Sequence, residues 1–242
     1  MMRLGPYAIL VAFSALTANT ALAASFGLLR DVNPVAVAVS SQPAYLGSVG
    51  PRAVFTAVDP ATGREPYASD GTPSGTVLLR EFGTGANGVT ARAAGPAGAV
   101  LTFFVETGSF TSPLELWATD GTPGGTTRIA AFDVAGGEWL GRLPDGTALV
   151  AAGRNLWRTD GTAAGTQRLN VGVPPHLPVR GTAAVGGRLY YFAGSAVQPA
   201  EIWETDGTAA GSRAVYRLPS GSNLQLEELA HAGARVLVAT SS

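Results

Sequence analysis

Residues Glu115 to Thr126 read ELWATDGTPGGT. The same pattern returns as EPYASDGTPSGT from Glu65, NLWRTDGTAAGT from Asn155 and EIWETDGTAAGS from Glu201. The aspartates of the copies, Asp70, Asp120, Asp160 and Asp206, are spaced by 50, 40 and 46 residues. A period in the forties with β-rich content matches one blade of a propeller.

The segments around each copy keep one order. A short strand leads through a turn into a strongly apolar strand: AVFTAV from Ala53, AVLTFFV from Ala99, TALVAA from Thr147 and RLYYFAG from Arg188. The turns hold Gly50-Pro51, Pro96-Ala97-Gly98, Asp145-Gly146 and Gly186-Gly187, all hairpin chemistry. The ELW strand follows, then the DGTxxGT loop, then an outer strand such as TVLLREF from Thr76. That makes four antiparallel strands per unit, over about 43–82, 89–132, 138–171 and 181–218. The apolar strands do not alternate with polar residues, as a sheet with one wet face would. Leu116-Trp117, Leu156-Trp157 and Ile202-Trp203 put apolar residues on both faces. Burial on both faces is the condition of a blade between two neighbours. The expected fold is therefore an all-β propeller of four-stranded antiparallel blades. Gly27 to Pro34 (GLLRDVNP) matches an outer strand, and the chain from Leu224 reads as the first two strands of a unit. Joined, 26–32 and 224–241 make a composite closing blade, five in all. A piece of a longer repeat array is the other arrangement that fits.

The first residues, MMRLGPYAILVAFSALTANTALAAS, have a basic start at Arg3, an apolar core from Tyr7 to Leu16 and a small-x-small site at Ala21-Leu22-Ala23. This is a secretory leader over 1–23, cut after Ala23 or Ala24, which leaves 24–242 as one domain. The apolar core is shorter than the roughly 20 residues of a spanning helix, and no later run is long enough. With no Cys there is no disulfide, thiolate site or lipid-bearing cysteine. The expected location is secreted, periplasmic or cell surface. The net charge is −1, the 16 basic residues are all Arg, and no basic stripe appears; nucleic acid is not an expected partner.

Each Asp-Gly pair, Asp70-Gly71, Asp120-Gly121, Asp160-Gly161 and Asp206-Gly207, is a tight-turn signal. Thr72, Thr122, Thr162 and Thr208 can add a side-chain bond to the backbone. The repeated Asp reads as a turn organiser, and the second Gly (Gly75, Gly125, Gly165, Gly211) as the end of the loop where the chain reverses. Calcium needs 6–8 oxygen ligands, and each loop offers one carboxylate. No metal or cofactor is expected. Tyr67, Trp117, Trp157 and Trp203 are expected to form the repeat core, buried between strands or blades.

No G-x-S-x-G elbow is present, and the only histidines are His176, in a Pro-rich loop, and His231, near a strand end. Glycoside chemistry needs two carboxylates across a sugar. Glu106, Asp133, Glu138, Glu227 and Glu228 are acids outside the repeat, and spacing pairs none of them. Trp139, beside Glu138 in GGEWLGRL, is the one Trp outside the pattern. It is either a core position on the third unit's first strand or, with Glu138, a ligand contact.

The motif E-L-W-x-x-D-G-T followed by G-T resembles the bacterial ELWxxDGT repeat family, also labelled hyalin-like. The match is full at Glu115–Thr122. It is close at Glu201–Thr208, where Ile202 replaces Leu, partial at Asn155–Thr162, and weaker at Glu65–Thr72. The resemblance implies a secreted, repetitive β architecture and no known reaction. A weaker similarity to the Asp-box hairpins of sialidase-type propellers carries no activity over, because here the Trp precedes the turn and the Asp–Gly spacing differs. The leading expectation is a non-enzymatic binding module whose partner is an unknown protein or glycan at the cell surface. A carbohydrate-active hydrolase or lyase is the second reading, and a structural repeat segment of a larger surface protein the third.

Overall fold

The computed structural model describes residues 41–82, 89–107, 113–153, 155–171, 182–193, 201–218 and 225–241. They form strands in five sheets. The first holds β1 (Ala44–Val49), β2 (Arg52–Asp59), β3 (Gly63–Ser69) and β4 (Val77–Leu78). The second holds β5 (Val89–Ala97), β6 (Val100–Thr107), β7 (Leu114–Thr119) and β8 (Thr127–Phe132). The third is β9 (Gly137–Arg142), β10 (Ala148–Ala152), β11 (Asn155–Thr159) and β12 (Gln167–Leu169). The fourth is β13 (Thr182–Val185), β14 (Arg188–Ala193), β15 (Glu201–Thr205) and β16 (Arg213–Arg217). The last is a two-stranded sheet of β17 (Gln225–Ala232) and β18 (Arg235–Ser241).

Every sheet pairs its strands in chain order, antiparallel throughout. The first strand of each sheet lies against the first strand of the next: β1 on β5, β5 on β9, β9 on β13, β13 on β17. First strands thus line a common inner side, and fourth strands lie outermost. This is a β-propeller of four-stranded antiparallel blades. The proposed closing strand, 26–32, lies outside the described residues. Among the described residues no helix is long and apolar enough to cross a membrane.

The core sits between blades, as the adjacent Phe103 and Phe104 make plain. Both are fully buried, and on β6 they point to opposite faces. Phe103 packs with Trp117, Leu46 and Phe82, toward the first blade. Phe104 packs with Phe132, Val150 and Trp139, toward the third. Each such ring contributes about 1.5–3 kcal/mol through burial. The same layering joins the third blade to the fourth, through Leu149, Leu156, Tyr191 and Trp203.

Candidate functional site

The repeated loop is a closed hydrogen-bond circuit. In the second blade, Asp120 Oδ1 accepts the Thr122 N–H at 2.8 Å and the Thr122 hydroxyl at 2.7 Å. Thr122 Oγ1 in turn accepts the Gly125 N–H at 3.0 Å. The Thr126 hydroxyl donates to the Thr122 carbonyl at 2.7 Å, so in its 2.8 Å contact with Thr119 it is the acceptor. Thr119 Oγ1 accepts the Gly121 N–H at 3.0 Å. Every hydroxyl proton has a place. The other loops repeat the circuit, with Ser69 and Thr76, Thr159 and Thr166, or Thr205 and Ser212 in the outer positions. The Thr hydroxyls hold the carboxyls of Asp70, Asp120, Asp160 and Asp206 below their ordinary range. Asp145, in the β9–β10 hairpin, makes the same bonds to Thr147 at 3.0 and 2.7 Å. Among the described residues no group of three or more His, Asp or Glu is placed to hold a metal.

The two glycines of the loop have different reasons. Gly71, Gly121, Gly161 and Gly207 have φ between 85° and 91°, which disfavours any side chain. The second glycines have no positive φ. A Cβ at Gly75, Gly125, Gly165 or Gly211 would lie about 2 Å from the loop's own Asp carboxylate. They sit in the turn that closes the loop before the outer strand, and they leave room there for that carboxylate.

The loops also latch the blades. Gly121 is buried against Val49 and Arg52 of the first blade's β1–β2 hairpin. Arg52 Nη1 donates to the Gly121 carbonyl at 3.1 Å. Gly161 sits against Ala97 and Val100 of the second blade, and Gly207 against Leu143 of the third. The loop of each later blade thus rests on the inner hairpin of the blade before it. Gly71, in the first blade, is exposed.

The ELW strand carries a second recurring link. Glu and Trp, two residues apart on a strand, share a face. Trp117 Nε1 donates to Glu115 at 2.9 Å, and Arg128 on β8 donates to the same carboxylate at 2.6 Å. Trp203 Nε1 donates to Glu201 at 2.7 Å, and Arg217 on β16 completes that triad. In the third blade Asn155 stands where the Glu would be, and the buried Trp157 Nε1 has no partner among the described residues. Tyr67, Trp117 and Trp203 are buried, whereas Trp157 is half-buried with its ring edge on Phe132 at 4.9 Å. Phe82 of the first blade meets Trp117 edge-on at 4.7 Å, and the Arg80 guanidinium lies 5.4 Å from the Trp117 ring.

A separate group gathers where the inner strands of the second and third blades meet. Trp139, on β9, lies flat against Gly95 of β5, where a Cβ would fall 2.1 Å from the indole. The ring is half-buried, and its Nε1 has no partner among the described residues. Glu138 is half-buried beside it; burial raises its carboxyl, and Arg92 on β5 partly opposes the rise. Arg92 is also ion-paired with Glu106 on β6. Glu106 further accepts the Gly136 N–H at 3.4 Å. Sequence reasoning named Trp139 and Glu138 as a candidate ligand contact, and Glu106 only among the unpaired acids outside the repeat. It missed Arg92, whose role depends on two blades meeting. Asp133, Glu228 and His231 are exposed, Glu227 lies in a bulge of β17, and His176 falls outside the described residues.

Arg92, Glu106 and Glu138 bring a guanidinium and two carboxylates near one another, while the Trp139 ring packs on Gly95 and the core between the second and third blades. No protein-family model and no curated protein matches the chain. Among solved structures, puromycin hydrolase aligns with a TM-score of 0.47 at 19% identity, over 83% of this chain and 36% of that one. TolB from Acinetobacter baumannii aligns with 0.44 at 11%, over 83% and 51%. SapL1 lectin in complex with alpha methyl fucoside aligns with 0.42 at 15%, over 81% and 71%. The chain spans about a third of the length of the puromycin hydrolase it matches.

Proposed function

We propose that the chain is a secreted or cell-surface propeller of the ELWxxDGT type that binds a protein or glycan partner without transforming it. One observation carries this reading. The acids and aromatics that repeat are engaged in holding blades, while Trp139, Glu138 and Arg92 on the inner strands, and Glu106 on β6, do not repeat and sit half-buried near the meeting of the second and third blades. Trp and Arg are the side chains that most often anchor interfaces, and an indole face beside polar groups also suits a sugar ring. A glycan and surface-protein binding screen on the wild type and on Trp139→Ala tests it. Binding that survives the substitution unchanged refutes the assignment of the site.

A second reading, a glycoside-cleaving enzyme, draws on the raised carboxyl of Glu138 near the ionised pair Arg92–Glu106. A general acid requires such a rise. Release of reducing sugar from polysaccharides by the wild type, and its loss in Glu138→Gln, would replace the binding reading with this one.

A further inference from the structure

The third blade keeps two members of the Glu–Trp–Arg link and replaces the third. In the second blade Glu115 and Trp117 lie two apart on β7, and Arg128 stands opposite Trp117 on β8, so all three share one face. The Glu115 carboxylate accepts the Trp117 indole N–H at 2.9 Å and an Arg128 N–H at 2.6 Å. The fourth blade builds the same link from Glu201, Trp203 and Arg217. The third blade reproduces the surroundings. Trp157 on β11 stands opposite Arg168 on β12, as Trp117 does opposite Arg128. Phe132 meets Trp157 edge-on at 4.9 Å, as Phe82 meets Trp117 at 4.7 Å. The acid alone is changed, to Asn155. Trp157 Nε1 is buried with no acceptor among the described residues. Arg168 is exposed, with no ion pair among them. An indole N–H without an acceptor and a guanidinium without an anion are satisfied by one group, a carboxylate.

We propose that Trp157 Nε1 and Arg168 bind a carboxylate brought from outside the chain, the side chain of a glutamate in an acidic peptide segment of a partner protein. The two intact links show which group these surroundings accept, and that it arrives on the two-methylene arm of a glutamate. Asn155 is half-buried and Arg168 exposed, so the arm enters past side chains that face solvent. Because Nε1 itself is buried, only a slender arm reaches it. A uronic acid carries its carboxylate directly on a ring, which is too broad for that approach. The site is separate from the group at Trp139. Val150 of β10 pairs with Trp139 on one side and Trp157 on the other, so the two indoles lie on the same face of the blade with a strand between them.

The experiment is indole N–H magnetic resonance on the full chain labelled with nitrogen-15 tryptophan. The chain has 4 Trp, and Trp157→Phe identifies the signal of interest. The probe is the capped peptide acetyl-Gly-Glu-Gly-amide. It is expected to move the Trp157 signal downfield to saturation and leave the other indoles in place. In Asn155→Glu that signal should already be displaced and should no longer respond. Arg168→Gln should weaken the response about threefold, the worth of an exposed charge pair. Should Asn155→Glu fail to fold, seen as lost dispersion of the other indoles, Arg168→Gln decides. No movement of the Trp157 signal overturns the proposal, as does an equal response in Asn155→Glu or to the glutamine form of the peptide. A response lost in Trp139→Ala overturns it in favour of the inner group, and an equal response to glucuronate overturns it in favour of an acidic sugar.

Discussion

Gly125→Ala should destabilise the protein only while Asp120 is present. Gly125 is not in the positive-φ region, so alanine fits the backbone and should otherwise help slightly by stiffening the unfolded chain. The added Cβ would lie 2.1 Å from Asp120 Cγ, whereas carbon atoms in contact sit about 3.5–4 Å apart. The carboxylate must move by roughly 1.5 Å, too far for its bonds to Thr122, now 2.8 and 2.7 Å, to survive. Two such bonds on an exposed carboxylate are worth about 2 kcal/mol together. In a chain of this size that lowers Tm by about 4–8 °C. In an Asp120→Ala background the same substitution should cost nothing or add a few tenths of a kcal/mol. Thermal melts of wild type, both single variants and the double variant close the cycle. An equal loss from Gly125→Ala in both backgrounds refutes the packing explanation and returns the glycine to a backbone role.

Gly71→Ala meets open space and isolates the strain of positive φ, about 1–2 kcal/mol. Gly161→Ala adds a clash with Val100 at 2.3 Å and with the Ala97 carbonyl at 2.9 Å; equal melting points for the two variants would remove the latch. Asn155→Glu should give the orphaned Trp157 Nε1 an acceptor and bring Arg168 into a triad like that of Arg128, raising stability by about 1–2 kcal/mol in urea unfolding; no gain would mean that the indole is already satisfied. The depressed loop aspartates contribute stability above their ordinary 3.8 and lose it as pH falls through their folded values. Glu138, raised from 4.5, acts in the opposite sense. Tm should be level from neutrality to about pH 5 and drop below about pH 4, and a Tm that climbs on acidification to pH 3 would contradict the loop circuit. Melting with and without a chelator should give one midpoint, since Thr hydroxyls and backbone amides already occupy the loop carboxylates; a chelator-dependent drop would install a metal.

Local features of the fold were legible in the sequence, and contacts between blades were not. The Phe103-Phe104 pair announced burial on both faces because strand geometry forces neighbours apart. Asp followed by Gly and Thr announced a turn because those bonds close within two residues. The hydroxyl before each Asp was missed, since Ser69 and Thr119 have no fixed meaning until Thr76 and Thr126 come round to meet them. The Glu of the ELW motif was read only as part of a pattern, although its distance of two from Trp already put both on one face. The latch of Gly121 on Arg52 joins residues 69 apart through two blades, and nothing local encodes it. Gly95 gave no sign of its purpose, because only the meeting of β5 with β9 brings Trp139 across it.

The separation of repeating from non-repeating residues narrows where function can reside. Asp120 cannot recognise a partner through Oδ1 without giving up the bonds that shape its loop. Glu115 and Glu201 cannot do so without releasing an indole and an arginine. Each of these costs stability at a position whose sequence is reproduced in other blades, so a ligand seated there would meet several near-identical sites. Trp139 is under no such constraint. Its ring is held by Gly95 and the neighbouring core, and Arg92 and Glu138 beside it serve no blade motif. Because the inner strands of two blades supply the group, its spacing is set by the blade-to-blade contact, and the DGT latches fix that contact from the rim of each hairpin. Loosening the latch of Gly161 on Ala97 and Val100, which joins these two blades, should therefore weaken a partner bound at Trp139. A binding constant for Gly161→Ala that matches wild type, with Tm lowered, would separate the two and leave the latch purely a matter of stability.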